Sequence, residues 1–441
     1  MRSEFVFALG PDLLLLGAIV ALMLLEMLRA DARWARVAFV VSAGAGAFLL
    51  WQQLAAGYVS DVVPGELGTD RFAQLGKLVL LACGLGVAAG FAAARGYKFW
   101  LLVTSSMLGG MLMLGAAGFA PLFIGIELLS LPAFALIVQG QGHTAAAEGA
   151  FKYLVLSSIA SGLLLFGVSL AYGMTGTLSI AAWAHAFEFA GVQGQAAGLL
   201  VLSGLFLKAA VFPFHAWAPD AYAAARLPVT ALMASLVKAA VILALARIVA
   251  TMPLDPASTL AVTVLAIVSI VFGNLAALGQ PRFRRLLAYS SVAHAGYMIF
   301  ALLDTTGSRG SDLLWYAAFY GLATVLACAS FAALCPDGDD ELRALDGRFH
   351  TQPVAATLLA LAMLSLAGLP PLPGFFAKLL VFKSVIASGH VVPAVIAFVG
   401  SFLGLAYYAG IAMRLFQQAP SVATAPGRAD AGAAARERAA A

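Results

Sequence analysis

Long apolar blocks run the length of this chain with brief polar interruptions, and each block approaches or exceeds the roughly 20 residues that an α-helix needs to cross a bilayer. Thirteen are read, at about 11–28, 37–54, 73–94, 98–117, 120–138, 146–174, 197–216, 226–249, 257–279, 282–303, 312–335, 352–386 and 392–416. The pattern predicts an all-α polytopic membrane protein of about thirteen transmembrane helices. The first block is too long, and too far from any small-residue cleavage site, for a removable signal, and is expected to stay as an anchor.

Composition agrees. Of 441 residues, 62% are hydrophobic and 10% charged, against about a quarter charged in a soluble domain. The net charge of +4 is small, so placement carries the information. Loops after odd-numbered blocks, with their helix ends and the tail, hold 15 cations: Arg29, Arg33, Arg36, Arg95, Lys98, Arg226, Arg282, Arg284, Arg285, Arg343, Arg348, Arg414, Arg428, Arg436 and Arg438. The other side holds 6: Arg2, Arg71, Lys77, Arg247, Arg309 and Lys383. The positive-inside bias puts the first set in the cytoplasm and the N-terminus outside. Cys83, Cys328 and Cys335 have no ligand-like spacing, so neither a disulfide framework nor a metal site is expected. No G-x-G-x-x-G after a strand and no P-loop appears, so no nucleotide or other cofactor is expected on this chain, and no nucleic-acid partner.

The four remaining cations, Lys152, Lys208, Lys238 and Lys378, fall within blocks, and Glu127 is the acid deepest in one. A charge at the bilayer centre costs about 2.5–3.5 kcal/mol on insertion scales, so such groups face a bundle interior or water and mark ion paths. Lys208 and Lys238 lie near the middles of their blocks, where a lysine cannot easily reach the headgroups. Lys152 lies near a block start, where it either snorkels or pairs with Glu148 one helical turn earlier. Because a buried lysine shifts its proton affinity readily, and a nearby carboxylate shifts it back, a lysine with a switchable acidic partner can load and release a proton. Glu127, in "PLFIGIELLSLPAFAL", is the candidate partner, the alternative being a neutral acid held by hydrogen bonds.

Two blocks are interrupted by proline beside a lysine. "LFLKAAVFPFHAWAPD" places Pro213 five residues after Lys208; "LSLAGLPPLPGFFAKLLVF" places Pro370, Pro371, Pro373 and Gly374 before Lys378. Proline frees carbonyls that cannot stay unpaired in lipid, so each break predicts polar side chains or water beside it, a plain kink being the alternative. The breaks fall in the seventh and twelfth blocks, an odd offset that implies opposite directions of crossing. This is the layout of two inverted five-helix repeats, expected at residues 98–250 and 251–418, preceded by a three-helix unit at 1–97 and followed by a disordered cytoplasmic tail at 419–441. The thirteenth block carries no lysine to match Lys238, only Tyr407 and Tyr408. His215 follows the first break, and His294 stands among Tyr289, Ser290, Ser291 and Tyr297; each is either a structural donor or a proton relay. Asp220 is expected to end its helix at the surface.

"FIGIELLSLPAFAL", "AAAEGAFKYLVLSSIASGLLLFGVSLAYGMTGTL", "LFLKAAVFPFHAWAPDAY", "GNLAALGQPRFRRLLAYSSVAHAGYM" and "MLSLAGLPPLPGFFAKLLVF" together resemble the subunit N family of bacterial NADH:quinone oxidoreductase, respiratory complex I. The resemblance implies a proton-translocating inner-membrane subunit without redox centres. It would lie among other membrane subunits and be driven by quinone reduction in partners that hold NADH, FMN, iron-sulfur clusters and quinone. It also implies a proton path through Glu127, Lys152, Lys208, Lys238 and Lys378, with His215 and His294 as the family's histidines. The chain departs from the family in ending after thirteen blocks rather than the usual fourteen, and in "AAARLP" after "WAPDAY". Competing readings are a subunit of a multisubunit cation/proton antiporter or membrane-bound hydrogenase, and an independent secondary transporter.

Overall fold

The computed structural model describes residues 2–91, 96–140, 143–187, 191–251 and 254–417. Arg95, Arg428, Arg436, Arg438 and the expected tail lie outside them. Among the described residues there are seventeen α-helices and one two-stranded hairpin. In chain order these are α1 (Arg2–Met27), α2 (Arg33–Ala55), β1 (Ser60–Val63), β2 (Leu67–Thr69), α3 (Arg71–Gly90), α4 (Tyr97–Gly115), α5 (Phe119–Val138), α6 (His143–Thr175) and α7 (Ile180–Phe187). Then come α8 (Gly191–Lys208), α9 (Trp217–Ala224), α10 (Leu227–Leu232), α11 (Lys238–Thr251), α12 (Pro256–Leu278), α13 (Phe283–Phe300), α14 (Arg309–Leu334), α15 (Pro353–Ala367), α16 (Pro373–Ala387) and α17 (Val391–Phe416). A π-helical turn, Met233–Val237, joins α10 to α11.

Eleven of the described helical stretches are long and apolar enough to cross a membrane. The other two expected spans are the broken ones: the seventh divides into α8 and α9, the twelfth into α15 and α16. The hairpin and the short α7 are not read from the apolar pattern. Both lie on one side of the bundle, where the hairpin docks on the α4–α5 connection through Leu67 and Ala116, and Ser179 pairs with Gly118.

Helix starts follow local chemistry. Asp70 caps α3 by accepting from Ala73 N at 2.8 Å, and Asp255 caps α12 by accepting from Ser258 N at 3.0 Å, each satisfying a donor the first turn leaves free. Prolines open α10, α12, α15 and α16, where no N–H is needed.

The centre of the bundle is the α10–α11 helix and α13, whose apolar windows are 100% and 94% buried; helices apolar on every face belong inside. Around them the helices pack through small residues. α4 lies along α5 with Gly109 and Gly125 at the crossing, where a Cβ on Gly109 would stand 2.7 Å from Gly125 O and one on Gly125 2.8 Å from Gly109 O. α12 lies along α13 in the same manner, a Cβ on Gly273 falling 2.6 Å from Ala293 N and one on Gly296 2.8 Å from Ala266 O. Without a hydrophobic drive between helices in lipid, such close backbone approach supplies the attraction.

Lys77, read from sequence as an outer-face cation, is instead buried in α3 against Asp12 of α1, its side chain 4% exposed. The first apolar block reads from 11, whereas α1 starts at Arg2, so Asp12 lies inside the helix. Breaking a buried pair from one side costs about 3–5 kcal/mol, whereas replacing both partners with apolar residues is often neutral. Asp12→Ala should therefore lower the unfolding temperature of the purified complex more than Asp12→Leu with Lys77→Met. The readout is thiol-dye labelling of the buried free cysteines Cys83, Cys328 and Cys335 on heating. Equal stability of all three proteins would show that the pair holds nothing together.

Candidate functional site

The two breaks share one geometry. In each, a residue of left-handed conformation precedes a proline by three positions: Ala210 (φ 57°) before Pro213, and Gly368 (φ 86°) before Pro371. In each, an alanine carbonyl four residues before the proline loses the N–H that a continuing helix would have brought to it. A lysine ammonium takes that place. Lys238 Nζ donates to Ala209 O at 3.1 Å and Lys378 Nζ to Ala367 O at 2.8 Å. At the first break Trp217 Nε1 also donates to Leu207 O at 2.9 Å, and Ser269 Oγ accepts from Phe212 N at 3.0 Å. The polar surroundings expected at the breaks are thus supplied by side chains.

Superposing the breaks on these prolines sets Lys378 level with Asp220 and Lys208 level with Leu366. Lys208 closes the half-helix before its break; Lys378 stands on the half-helix after the other. The two lysines are therefore not equivalent.

Lys208 is held by hydroxyls and a carboxylate. Its Nζ donates to Ser130 Oγ at 3.0 Å and Ser157 Oγ at 2.6 Å, and lies 3.7 Å from Glu127 Oε1. Ser161 donates to the same Glu127 oxygen. Glu127 and Ser130 share a face of α5 one turn apart, and Ser157 and Ser161 a face of α6, so two short polar stripes meet at the ammonium. A cavity of about 10 Å³ adjoins it, lined by Tyr153 and Trp217 among others, at the lower limit of about 10–15 Å³ for a single water.

Of the two alternatives for Lys152, the structure shows the pair with Glu148 at 2.7 Å, and also one with Asp220 Oδ2 at 2.7 Å; Arg285 lies 3.9 Å from the other Asp220 oxygen. Asp220 does not end a helix. It sits in the first turn of α9, where a carboxylate also suits the helix N-terminus, and joins α6, α9 and α13 electrostatically.

On the central helices Lys238 also donates to Ser291 O at 2.6 Å, and among the described residues no carboxylate reaches it. The neighbouring Ser290 hydroxyl is hydrogen-bonded to that of Tyr408. His294 bridges Tyr316 Oη at 2.9 Å from Nδ1 and Tyr408 Oη at 3.2 Å from Nε2. The Tyr408 ring packs against Tyr407 at 4.3 Å; Tyr407 donates to Asn274 Oδ1 at 3.0 Å, and Asn274 Nδ2 lies 3.5 Å from Tyr297 Oη. Lys378 ends the series, its Nζ 4.9 Å from the centre of the Tyr297 ring and 3.0 Å from Ser401 Oγ. Glu127 and Lys208 thus share one hydrogen-bonded cluster and Ser290 and His294 another; Lys238 stands between them on the carbonyls of Ala209 and Ser291, Lys378 lies beyond Tyr297, and Lys152 belongs to the separate Glu148–Asp220 group. His215 and Tyr289 do not join either cluster. His215 packs among Phe212, Phe272 and Tyr289, with ring centroids 5.4, 4.7 and 6.4 Å away, and its buried Nδ1 has no partner among the described residues.

Reading lysines and histidines alone missed the partners Ser130, Ser157, Ser161, Tyr316 and Asn274, and named Asp220 and Tyr408 without pairing them. One had a usable signal. Asn274 is the only asparagine in the chain and stands inside an apolar block.

Residues 116–404 match the family described as "NADH:quinone oxidoreductase/Mrp antiporter, TM". The NADH-quinone oxidoreductase subunit N of Pelobacter propionicus is 51% identical over 95% of this chain and 90% of its own length. The chain belongs to the subunit N family. Another member, NADH-quinone oxidoreductase subunit 14 of Thermus thermophilus, is 38% identical over 82% of this chain and 81% of its own. Among solved structures, a chain of respiratory complex I from Thermus thermophilus superposes with a TM-score of 0.79 at 32% identity, covering 96% of this chain and 94% of that one. A chain of the Mrp complex from Dietzia superposes with a TM-score of 0.85 at 26% identity, covering 96% and 82%. The fold of the subunit N family is thus shared with antiporter complexes.

Proposed function

We propose that this chain is a proton-translocating membrane subunit of a bacterial NADH:quinone oxidoreductase. It contributes no redox centre of its own; NADH, FMN, iron-sulfur clusters and quinone belong to partner subunits, and quinone reduction there drives proton movement here. Protons enter near Lys152, Glu148 and Asp220 and pass between Glu127 and Lys208. They continue past Lys238 and the Ser290–Tyr408–His294 group to Lys378. The chain spans the inner membrane with its N-terminus outside, and residues 98–250 and 251–418 are inverted repeats of one design. The shared break geometry and the matching glycine crossings of α4/α5 and α12/α13 support the repeats.

The observation that carries the reading is the set of buried lysines, with one partly buried carboxylate, a histidine and hydroxyls, placed between packed membrane helices. Ionisable groups so placed are expensive in lipid and serve proton relays. Purifying the complex through a tag on this chain tests the assignment against the antiporter alternative. The copurified assembly should contain FMN and iron-sulfur absorption and reduce quinone with NADH. Recovery of only membrane subunits, free of flavin and iron, would assign the chain to an antiporter complex.

A further inference from the structure

Between the His294 group and Lys378 stands a buried side chain that neither takes up nor gives up a proton. Asn274 of α12 is 2% exposed. Its Nδ2 donates to Ile270 O at 2.9 Å, one turn earlier on the same helix, and to Gly400 O of α17 at 3.1 Å. Its Oδ1 accepts from Tyr407 Oη at 3.0 Å. Gly404 leaves room for the amide against α17, since a Cβ there would stand 2.9 Å from Asn274 Oδ1. These partners fix which end of the amide is which. Carbonyl oxygens only accept, and the two protons of Nδ2 go to Ile270 O and Gly400 O; turning the amide over would set its oxygen against both carbonyls. Because Oδ1 has no proton, the Tyr407 hydroxyl must donate to it.

On one side of the amide, Tyr407 adjoins the hydroxyls of Ser290 and Tyr408, and Tyr408 is hydrogen-bonded to His294. On the other side, Tyr297 Oη lies 3.5 Å from Nδ2, and Tyr297 adjoins Ser401, which accepts from Lys378 at 3.0 Å. Tyr316, the other partner of His294, meets Tyr297 through ring faces 6.5 Å apart, and among the described residues no hydrogen bond joins those two hydroxyls. A hydroxyl passes a proton by accepting one and donating its own. A carboxamide cannot, because its nitrogen would have to release a proton already committed to a carbonyl. The hydroxyl route that leaves His294 through Tyr408, Ser290 and Tyr407 therefore ends at Asn274 Oδ1. A pump needs such an end, since an unbroken wire would let protons run back down the gradient that pumping creates.

We propose that Asn274 is a proton block: a positioning residue that holds the Tyr407 proton against an atom unable to pass it on, and so keeps the His294 group from exchanging protons with Lys378 through these hydroxyls. The proposal rests on the proton-translocating reading given above. Onward transfer to Lys378 is then a gated step rather than conduction along a standing wire.

The test uses the intact complex in proteoliposomes, with NADH oxidation and net proton uptake read together and assembly followed on native gels. Asn274→Asp replaces the block with a relay. One carboxyl oxygen takes the Tyr407 proton while the other releases its own toward Tyr297, and Tyr407 is reprotonated by its hydroxyl neighbours. NADH oxidation should persist while net proton uptake per NADH falls at least about tenfold, below the 10²–10⁴-fold that a positioned proton-transfer group supplies. Adding Tyr407→Phe to Asn274→Asp removes the donor to this relay and should restore uptake. Tyr407→Phe alone should pump at the wild-type level, and it decides the matter if Asn274→Asp does not assemble. Full pumping by Asn274→Asp would overturn the proposal. So would loss of pumping in Tyr407→Phe alone, which would put Tyr407 on the conducting path. Failure of the underlying reading shows separately, because Lys208→Ala would then pump like the wild type whatever these variants do.

Discussion

Lys208→Ala should leave the complex assembled and cut NADH-driven proton pumping in inverted vesicles by about 10²–10⁴-fold, the usual consequence of removing a positioned proton-transfer group. The expectation rests on where the ammonium sits, between the Ser130 and Ser157 hydroxyls and 3.7 Å from Glu127. A more discriminating variant is Lys208→Arg. The guanidinium keeps the charge beside Glu127 and can donate to both serines, but it does not give up a proton in a protein. If Lys208 carries protons, arginine should pump as poorly as alanine while assembling better. Pumping at the wild-type level with arginine would make Lys208 a fixed structural charge.

Lys238 has two duties, and they can be separated. Its Nζ holds Ala209 O at the break and Ser291 O on α13, and each buried carbonyl left without a partner costs about 1–3 kcal/mol. Lys238→Met should accordingly loosen the break, read as faster amide hydrogen exchange over residues 205–216, and abolish pumping. Lys238→Gln offers an amide donor that cannot titrate. It should slow exchange part of the way back while pumping stays lost. Recovery of pumping with glutamine would remove Lys238 from the proton path and leave it as a brace.

Much of this was legible because the informative signals are local. A lysine or proline inside an apolar block is conspicuous in itself, so Glu127, Lys208, Lys238, Lys378 and both broken spans stand out without any knowledge of packing. The partners are not legible for the same reason. Ser130 and Ser157 are ordinary residues of membrane helices until α5, α6 and α8 are packed together, and Asp220 meets Lys152 across 68 positions of chain. Lys77 was placed on the outer side because its partner Asp12 lies 65 positions away, in a helix that starts at Arg2 rather than at the edge of the apolar block. The hairpin at 60–69 carries too few residues for a periodic pattern. That the lysines stand on opposite sides of their breaks is already in the sequence; which of Pro370, Pro371 and Pro373 matches Pro213 needed the backbone, where the left-handed residues at 210 and 368 each precede the matching proline by three positions.

The glycine contacts of α4 with α5 and of α12 with α13 bear on how energy travels. Helices whose backbones touch have no sliding layer between them, and a shift of even one residue, about 1.5 Å, would press a side chain into the facing carbonyls. Sliding of one helix along its partner is therefore resisted within each pair, while segments 209–216 and 368–372 are not held in regular helix. One lysine can then act on the next through its field without sliding these pairs. Two unit charges ~10 Å apart at an effective dielectric constant of about 20 interact by about 1.7 kcal/mol, enough to change proton occupancy at the neighbouring site more than tenfold. Paired helices of this kind let charge states influence one another without sliding the helices that carry them.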